Sequence, residues 1–351
     1  MISMPKIGQF RDAIREVKNK ATFVEIDETT GKPIYNSNIK LPVLTYHGSV
    51  KIHGTNAAIV YTWNAAESKH TFHTQSRNCI ITPDNDNFGF ASFIYNKVDT
   101  NDLYGLLLKA IIGDKLGDVG YLPQSISVFG EYCGGTIQKN VAVSKLEKMF
   151  VIFAIKIDDI WTQPEILKQI KLPESKIYNI LDYPCYEIEI DFNDPKAIQN
   201  KLVELTLQVE RQCPVGKAFN VSGVGEGLVF KCYQKEYNSY KFAFKVKGDE
   251  HSKNAGRVKT LAPVDTERFD NIKAIVESVV TNRRLEQGIE YLNEKKLAID
   301  KKNIGVYLKW ILDDINSEEH TTIAENGFTM KNISAEISKK AKDYFLSQII
   351  N

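Results

Sequence analysis

The sequence predicts an α+β fold: a core of antiparallel sheets followed by an all-helical C-terminal domain. Three observations carry that expectation. Short β-branched and aromatic runs, bounded by Gly, Asn and Asp, recur between residues 43 and 247. Helical stretches at 103–112 and 195–208 interrupt them. Beyond Gly256 the strand pattern stops, and apolar residues recur at three- and four-residue spacing. With 351 residues the chain is long for one domain and comfortable for two. The expected division is 1–256 and 257–351, with the polar stretch 248–256 as linker.

Taken in order, Ile7, Phe10, Ile14 and Val17 predict a short amphipathic helix over 4–18. Residues 22–26 alternate like a strand, and Thr29-Thr-Gly-Lys-Pro33 is a turn. Strands are expected at 44–50, 57–63, 125–129, 150–157, 227–233 and 240–247. Gly223-Val-Gly-Glu-Gly227 precedes a strand and lacks the spacing of a dinucleotide loop, so it reads as a flexible approach to that strand. The C-terminal domain is expected to hold helices at 269–280, 285–297, 304–316 and 333–350.

Composition narrows the class. Apolar residues make up 43% and charged residues 25%, the mix of a soluble globular protein. The five cysteines are odd in number and form no C-x-x-C pair, which argues against a disulfide framework and a structural zinc site. They read as reduced thiols. The histidines lack ligand spacing, and no run approaches the ~18 apolar residues of a membrane span. A cytoplasmic protein without a membrane or an obligate protein partner is the expectation. The net charge of +1 neither supports nor excludes nucleic acid, because basic residues confined to one face can be balanced elsewhere.

The chemistry sits in an ordered series. Lys51-Ile-His-Gly-Thr-Asn56 follows one strand and precedes another. A lysine at a strand end, with a glycine three residues on, can face a phosphate without crowding. Alone, such a match is weak. It is followed by Ser76-Arg77, Phe88-Gly-Phe90, Val128-Phe-Gly-Glu-Tyr132, Gly134-Gly-Thr-Ile-Gln-Lys-Asn140, the strand at 150–157, Glu226-Gly-Leu-Val-Phe-Lys231 and Phe244-Lys-Val-Lys247.

This series, over about 43–259, resembles the covalent nucleotidyltransferase superfamily of ligases and capping enzymes, most closely the RNA ligase 2 family of the bacteriophage T4 type. The resemblance implies an antiparallel-sheet nucleotidyltransferase core of ATP-grasp-like ligase form. It implies an ATP-dependent RNA ligase that seals 5′-phosphate and 3′-hydroxyl ends through a lysyl-AMP and an adenylylated 5′ end. ATP and Mg²⁺, or Mn²⁺ in its place, are the implied cofactors, and RNA the partner, in a host cytoplasm if the source is viral.

Carried over, Lys51 is the nucleophile, and Asn56 and Arg77 contact AMP or the end to be joined. Glu131 accepts from a ribose hydroxyl. Phe153 stacks on adenine with Val229 on its other face. Glu226 helps place the metal, and Lys231, Lys245 and Lys247 grip phosphates. His53 matches a position tied to steps after self-adenylation, and on a strand it would share the face of Lys51. Ala154 and Val50 stand where the T4 type has acids.

Physics agrees with the nucleophile. A lysine attacks only as a neutral amine, and neighbouring cations disfavour its protonated form. Taken singly, each residue has a plainer account: Lys245 and Lys247 alternate with Phe242 and Phe244 as on any half-exposed strand, and Phe153 suits a core. Two other readings remain. A DNA ligase or capping enzyme would carry a β-rich C-terminal domain instead of helices. A retired core would bind nucleotide or RNA without catalysis.

Overall fold

The computed structural model describes residues 1–113, 122–135, 137–248 and 265–349. The chain divides into two compact units, Met1–Gly248 and Asp249–Asn351. The expected linker at 248–256 lies almost wholly outside the described residues.

The first unit opens with β1 (Gly8–Gln9), which runs into α1 (Phe10–Thr22). The helix begins later than 4–18 because a capping box starts it at Gln9, whose amide donates to the Asp12 carboxylate at 2.9 Å. An exposed hairpin follows, β2 (Phe23–Ile26) and β3 (Pro33–Tyr35). Next come β4 (Val43–Lys51), β5 (Thr55–Asn64), β6 (Lys69–Ser76) and β7 (Ile80–Ile81), then α2 (Phe90–Lys97) and α3 (Thr100–Ile112). β8 (Ser125–Cys133), β9 (Met149–Ile157) and β10 (Ile160–Trp161) precede α4 (Pro164–Leu167), β11 (Ile177–Asn179) and β12 (Tyr186–Asp191). The unit closes with α5 (Gln199–Arg211), α6 (Pro214–Ala218), β13 (Gly227–Cys232) and β14 (Phe244–Lys247).

Two sheets organise these strands. One has the order β1-β14-β13-β4-β12, the other β10-β9-β8-β5-β6-β7 with β11 beside β9. The pairings are antiparallel except β1 with β14 and β11 with β9. This is the α+β class, rich in antiparallel sheet, that the strand runs predict.

Alternation on β4 and β13 fixes which face meets the core. Leu44, Tyr46 and Val50 pack with Leu228, Phe230 and Cys232, all buried. The rings of Phe230 and Phe244 stack at 5.1 Å between centroids. Burying each contributes roughly 2–3 kcal/mol. The opposite residues of β4, from Thr45 through His47 and Ser49 to Lys51, stay partly exposed and form an open face.

Three local expectations change. Pairing at the last strand begins only at Phe244, because the Phe242 amide donates to the Ser239 carbonyl at 3.1 Å and the Ala243 amide to that of Tyr240 at 3.3 Å. Tyr240 and Phe242 therefore lie in a turn, not on the strand. β12 is present although its alternation of buried Ile188 and Ile190 with exposed Glu187 and Glu189 went unused. The same holds for α2, started by the Asp86 carboxylate, which accepts from the amides of Ala91 and Ser92.

The second unit is helical over its described residues: α7 (Asp265–Val279), α8 (Asn282–Glu294), α9 (Ile304–Glu325) and α10 (Met330–Ile349). One core joins Ile275, Val279, Tyr307, Ile311, Ile337 and Phe345. α9 runs past 316 because Ile323, beyond a polar stretch, is buried in that core. Among the described residues no helix is long and apolar enough to cross a membrane. Of the cysteines, all free, Cys133, Cys213 and Cys232 are buried, whereas Cys185 is exposed.

Candidate active site

The open face of the β14-β13-β4 sheet is a set of rows. Lys247, Gly227 and Lys51 lie side by side on β14, β13 and β4. The next row is Lys245, Val229 and Ser49, and the third pairs Lys231 with His47. Rows are about 7 Å apart, two residues of strand.

Glu226 gathers the first row. It is 3% exposed. Its Oε2 accepts from Lys51 Nζ at 2.7 Å and lies 3.1 Å from His53 Nδ1. Its Oε1 meets Lys247 Nζ at 3.1 Å. In a regular strand Glu226 would alternate to the core face with Leu228. Gly227 breaks the alternation with a φ of +145° and leaves no room for a Cβ, which would sit 2.1 Å from the Val246 carbonyl oxygen. Only glycine meets both conditions, and past this positive φ the Glu226 carboxylate meets Lys51 and Lys247 of the flanking strands. Burial pushes the Glu226 carboxyl up, but Lys51, Lys247 and His53 outweigh it and hold it well below the usual carboxylate range.

A second carboxylate approaches Lys51 from β8. Gly54 lies in the β4–β5 connection, and its amide donates to Glu131 Oε1 at 3.1 Å. A Cβ at Gly54 would lie 2.4 Å from the Tyr132 carbonyl oxygen. The glycine of the Lys51 motif therefore clears a path for protein backbone, which refines the expectation that it clears one for phosphate. Burial pushes the Glu131 carboxyl up, reinforced by Glu226 and opposed by Lys51, Arg77 and the Gly54 amide. Asn56 pairs with Glu131 across β5 and β8. Arg77 sits exposed in the turn after β6.

Opposite shifts predict opposite stability effects. A depressed carboxyl stabilises the fold above its unfolded value, near 4.3, and that contribution is lost as pH falls through the folded value. A raised carboxyl disfavours the fold while ionised, and the penalty is relieved as pH falls. Glu226→Gln should therefore lower the melting temperature at pH 7 by roughly 5 °C, a difference that shrinks towards pH 3. Glu131→Gln should leave it unchanged or raise it. Calorimetry from pH 3 to 8 checks both, and equal losses in the two variants would refute the assignment.

Phe153 occupies a β-bulge: Phe129 pairs with Ala154, but the next residue, Gly130, pairs with Ile152. The extra residue is the one whose ring is expected to stack, and a bulge re-aims a side chain in this way. Val229 is partly exposed on the open face. Lys231 lies apart from the row of Lys247, Gly227 and Lys51. It stands two rows away, ~13 Å along β13 from Gly227, with its Nζ 4.5 Å from the Tyr240 ring centroid and 4.7 Å from that of Tyr233. His53 is not on the strand, which ends at Lys51. It reaches Glu226 from the loop instead, and is 8% exposed. Sequence reasoning missed Trp161, Tyr233 and Tyr240 around Lys231; the aromatic density of 233–244 was the available signal.

Among the described residues no cluster of three His, Cys, Asp or Glu side chains forms a metal-binding set. Glu226 offers a single carboxylate here, a sparse oxygen set that fits a hard cation carrying most of its ligands as phosphate and water.

The RNA ligase family model matches residues 45–247, the span that contains every residue of this site. Among solved structures, a lysine-to-methionine variant of the Naegleria gruberi RNA ligase with AMP and Mn is 17% identical, with a TM-score of 0.37, over 71% of this chain and 57% of that one. A lysine-to-alanine variant of the same ligase with ATP and Mn is 17% identical, with a TM-score of 0.37, over 71% and 56%. This chain thus spans a little over half the length of those ligases. No curated protein matches.

Proposed function

Because this chain belongs to the RNA ligase family, we propose that it is an ATP-dependent ligase of the RNA ligase 2 type, with Lys51 as its nucleophile. The observation that carries the reading is the buried Glu226 carboxylate, which holds Lys51, His53 and Lys247 in one cluster at a strand end.

Lys51 starts as an ammonium paired with Glu226. Mg²⁺ or Mn²⁺, bound at Glu226 and by the nucleotide phosphates, would supply positive charge at the α-phosphate. Lys247 shares the Glu226 carboxylate with Lys51 and sets a second cation on the same group. Having given its proton to solvent, the amine forms a bond to the α-phosphorus as the bond from that phosphorus to the bridging β-phosphate oxygen breaks, and the nitrogen sheds a second proton to water to leave the neutral phosphoramidate. Pyrophosphate leaves with that electron pair, stabilised by Lys245 and Lys247. A 5′-phosphate oxygen of RNA then takes AMP from Lys51, and the 3′-hydroxyl displaces AMP to close the phosphodiester. Phe153 and Val229 flank the base, Glu131 meets the ribose, and Asn56 and Arg77 face the phosphate end.

In this reading residues 1–256 are the adenylation domain, and 257–351 hold the RNA ends. The helical second unit speaks against a DNA ligase or capping enzyme with a β-rich appendage. The deciding experiment is incubation with α-labelled ATP and Mg²⁺ or Mn²⁺, followed by a panel of RNA and DNA nicks and single strands. The proposal expects a covalent label and joining of 5′-phosphate RNA. No label under either metal would leave a non-catalytic relative.

His53 shares one carboxylate oxygen with Lys51 but is not itself the attacking group. His53→Ala is expected to retain most of the covalent labelling and to seal nicked RNA at least about tenfold more slowly, the scale of a lost charged hydrogen bond. Loss of labelling as complete as in Lys51→Ala would overturn that division of steps.

A further inference from the structure

Lys231 is a buried cation with no anionic partner among the described residues. It is 6% exposed. Its surroundings are the rings of Tyr240, Tyr233 and Trp161, at 4.5, 4.7 and 5.8 Å from Nζ. Aromatic faces partly offset the lost hydration of an ammonium, but they do not satisfy its three N–H donors. Burial pushes the group down to about 7. Such a residue calls for a hydrogen-bond acceptor from outside the chain.

The cage draws on both sheets, Lys231 from β13 and Trp161 from β10. Lys231 shares the open face of β13 with Val229, one row further from Glu226. Tyr240, the nearest ring, donates its hydroxyl to the Phe153 carbonyl at 3.5 Å, which ties the cage to the strand that carries the opposing aromatic. Trp161 packs edge-on against Tyr240 at 4.6 Å. Ala154, after Phe153, packs in the same cluster as Tyr240 and brings no charge. A nucleotide with its α-phosphate at Lys51 and its base between Val229 and Phe153 would present the base edge to the third row. That row is about 7 Å beyond Val229, the length of a purine's reach plus a hydrogen bond. A phosphate at the first row would be ~13 Å away along the strand.

We propose that Lys231 reads the nucleobase: its ammonium donates a hydrogen bond to a ring nitrogen of the adenine stacked over Val229. The inference rests on the nucleotide placement given above, and it makes Lys231 a specificity residue in place of a phosphate grip.

The test compares ATP with 1-deaza-, 3-deaza- and 7-deaza-ATP, each lacking one ring acceptor. Binding is titrated with Mg²⁺ on the full chain carrying Lys51→Ala, so that no nucleotide turns over. One deaza analogue should bind about tenfold more weakly than ATP. Adding Lys231→Met, which keeps the length and apolar bulk of the side chain, should erase that difference by weakening ATP to the level of the analogue. Inorganic tripolyphosphate should bind both proteins alike. If all three analogues bind like ATP when Lys231 is present, the proposal fails without any variant. It fails equally if the penalty persists with Lys231→Met, or if tripolyphosphate weakens along with ATP. A chain that labels at Lys51 yet shows no deaza penalty loses only the base reader. A chain that never labels loses the ligase reading, and the titration still decides Lys231.

Discussion

Lys51→Ala is expected to leave no covalent nucleotide on the protein, a loss of at least about a thousandfold against the intact chain. The reason is geometric. Lys51 Nζ and Lys247 Nζ both touch Glu226, but on different oxygens, at 2.7 and 3.1 Å. They sit on strands separated by β13. Their backbones are roughly 10 Å apart, so the two amines reach Glu226 from opposite sides, and a phosphorus in line with one is not in line with the other. Lys51→Arg should fail as completely, because a guanidinium keeps its proton and offers no lone pair. It should nevertheless retain the ion pair with Glu226, so its melting temperature should stay near that of the intact chain. That separation of folding from chemistry is the purpose of the second variant. Labelling with α-labelled ATP, followed by peptide mapping, gives the answer. An adduct that persists in either variant and maps to Lys247 or Lys245 would move the nucleophile to β14.

The parts of this site that were legible in the sequence are those set by local pattern. That Lys51 ends a strand, that Glu226 precedes one and that Lys245 alternates with Lys247 follow from two-residue periodicity and turn residues, while their selection as site residues rests on the resemblance to the RNA ligase 2 family. What the sequence could not supply is register. That Gly227 stands between Lys51 and Lys247, and that Lys231 stands beside His47, depends on pairing between strands about 180 residues apart in the chain. The bulge at Phe153 and the positive φ at Gly227 also escape periodicity, since each breaks it. Tyr240 misled in the other direction: its neighbours read as strand, but backbone hydrogen bonds at 239–243 turn it into the cage around Lys231. Charge runs proved the least informative signal. Arg284 stands in the basic pair Arg283-Arg284, yet it is 7% exposed, and its guanidinium binds Asp314 at 2.8 Å and Glu318 and Glu319 at 3.3 Å. It holds helices together and is not free to meet RNA. Arg283 is similarly committed to Glu290 at 2.9 Å.

That correction sharpens the expectation for the helical unit. A chain truncated after residue 260 should keep self-adenylation, because every residue of the Lys51 cluster precedes Gly248 and the first unit has its own cores. It should lose nearly all joining of a nicked RNA duplex, where the duplex must be held against the adenylate while its phosphates are neutralised. With Arg283 and Arg284 engaged, the exposed Lys295, Lys296, Lys301 and Lys302 form a group of cations between α8 and α9, while the exposed Lys273, Lys309, Lys331, Lys339 and Lys342 are spread over the helices. Lys253, Arg257 and Lys259 lie outside the described residues. Binding that releases counterions weakens with salt, with a slope of roughly 0.9 for each phosphate contacted. Replacing the four lysines by Gln should therefore flatten the salt dependence of nick binding by about 0.9 for each lysine that touches the backbone. Their charges are distant from the chemistry in sequence and bear no part in it, so ATP labelling should be unchanged. The plainer account is a solvated helix face, which charged runs usually are. Filter binding of a nicked duplex between 50 and 300 mM salt separates the two. An unchanged slope in the four-lysine variant would leave those residues to the solvent, and full-rate sealing by the truncated chain would make the first unit the whole ligase.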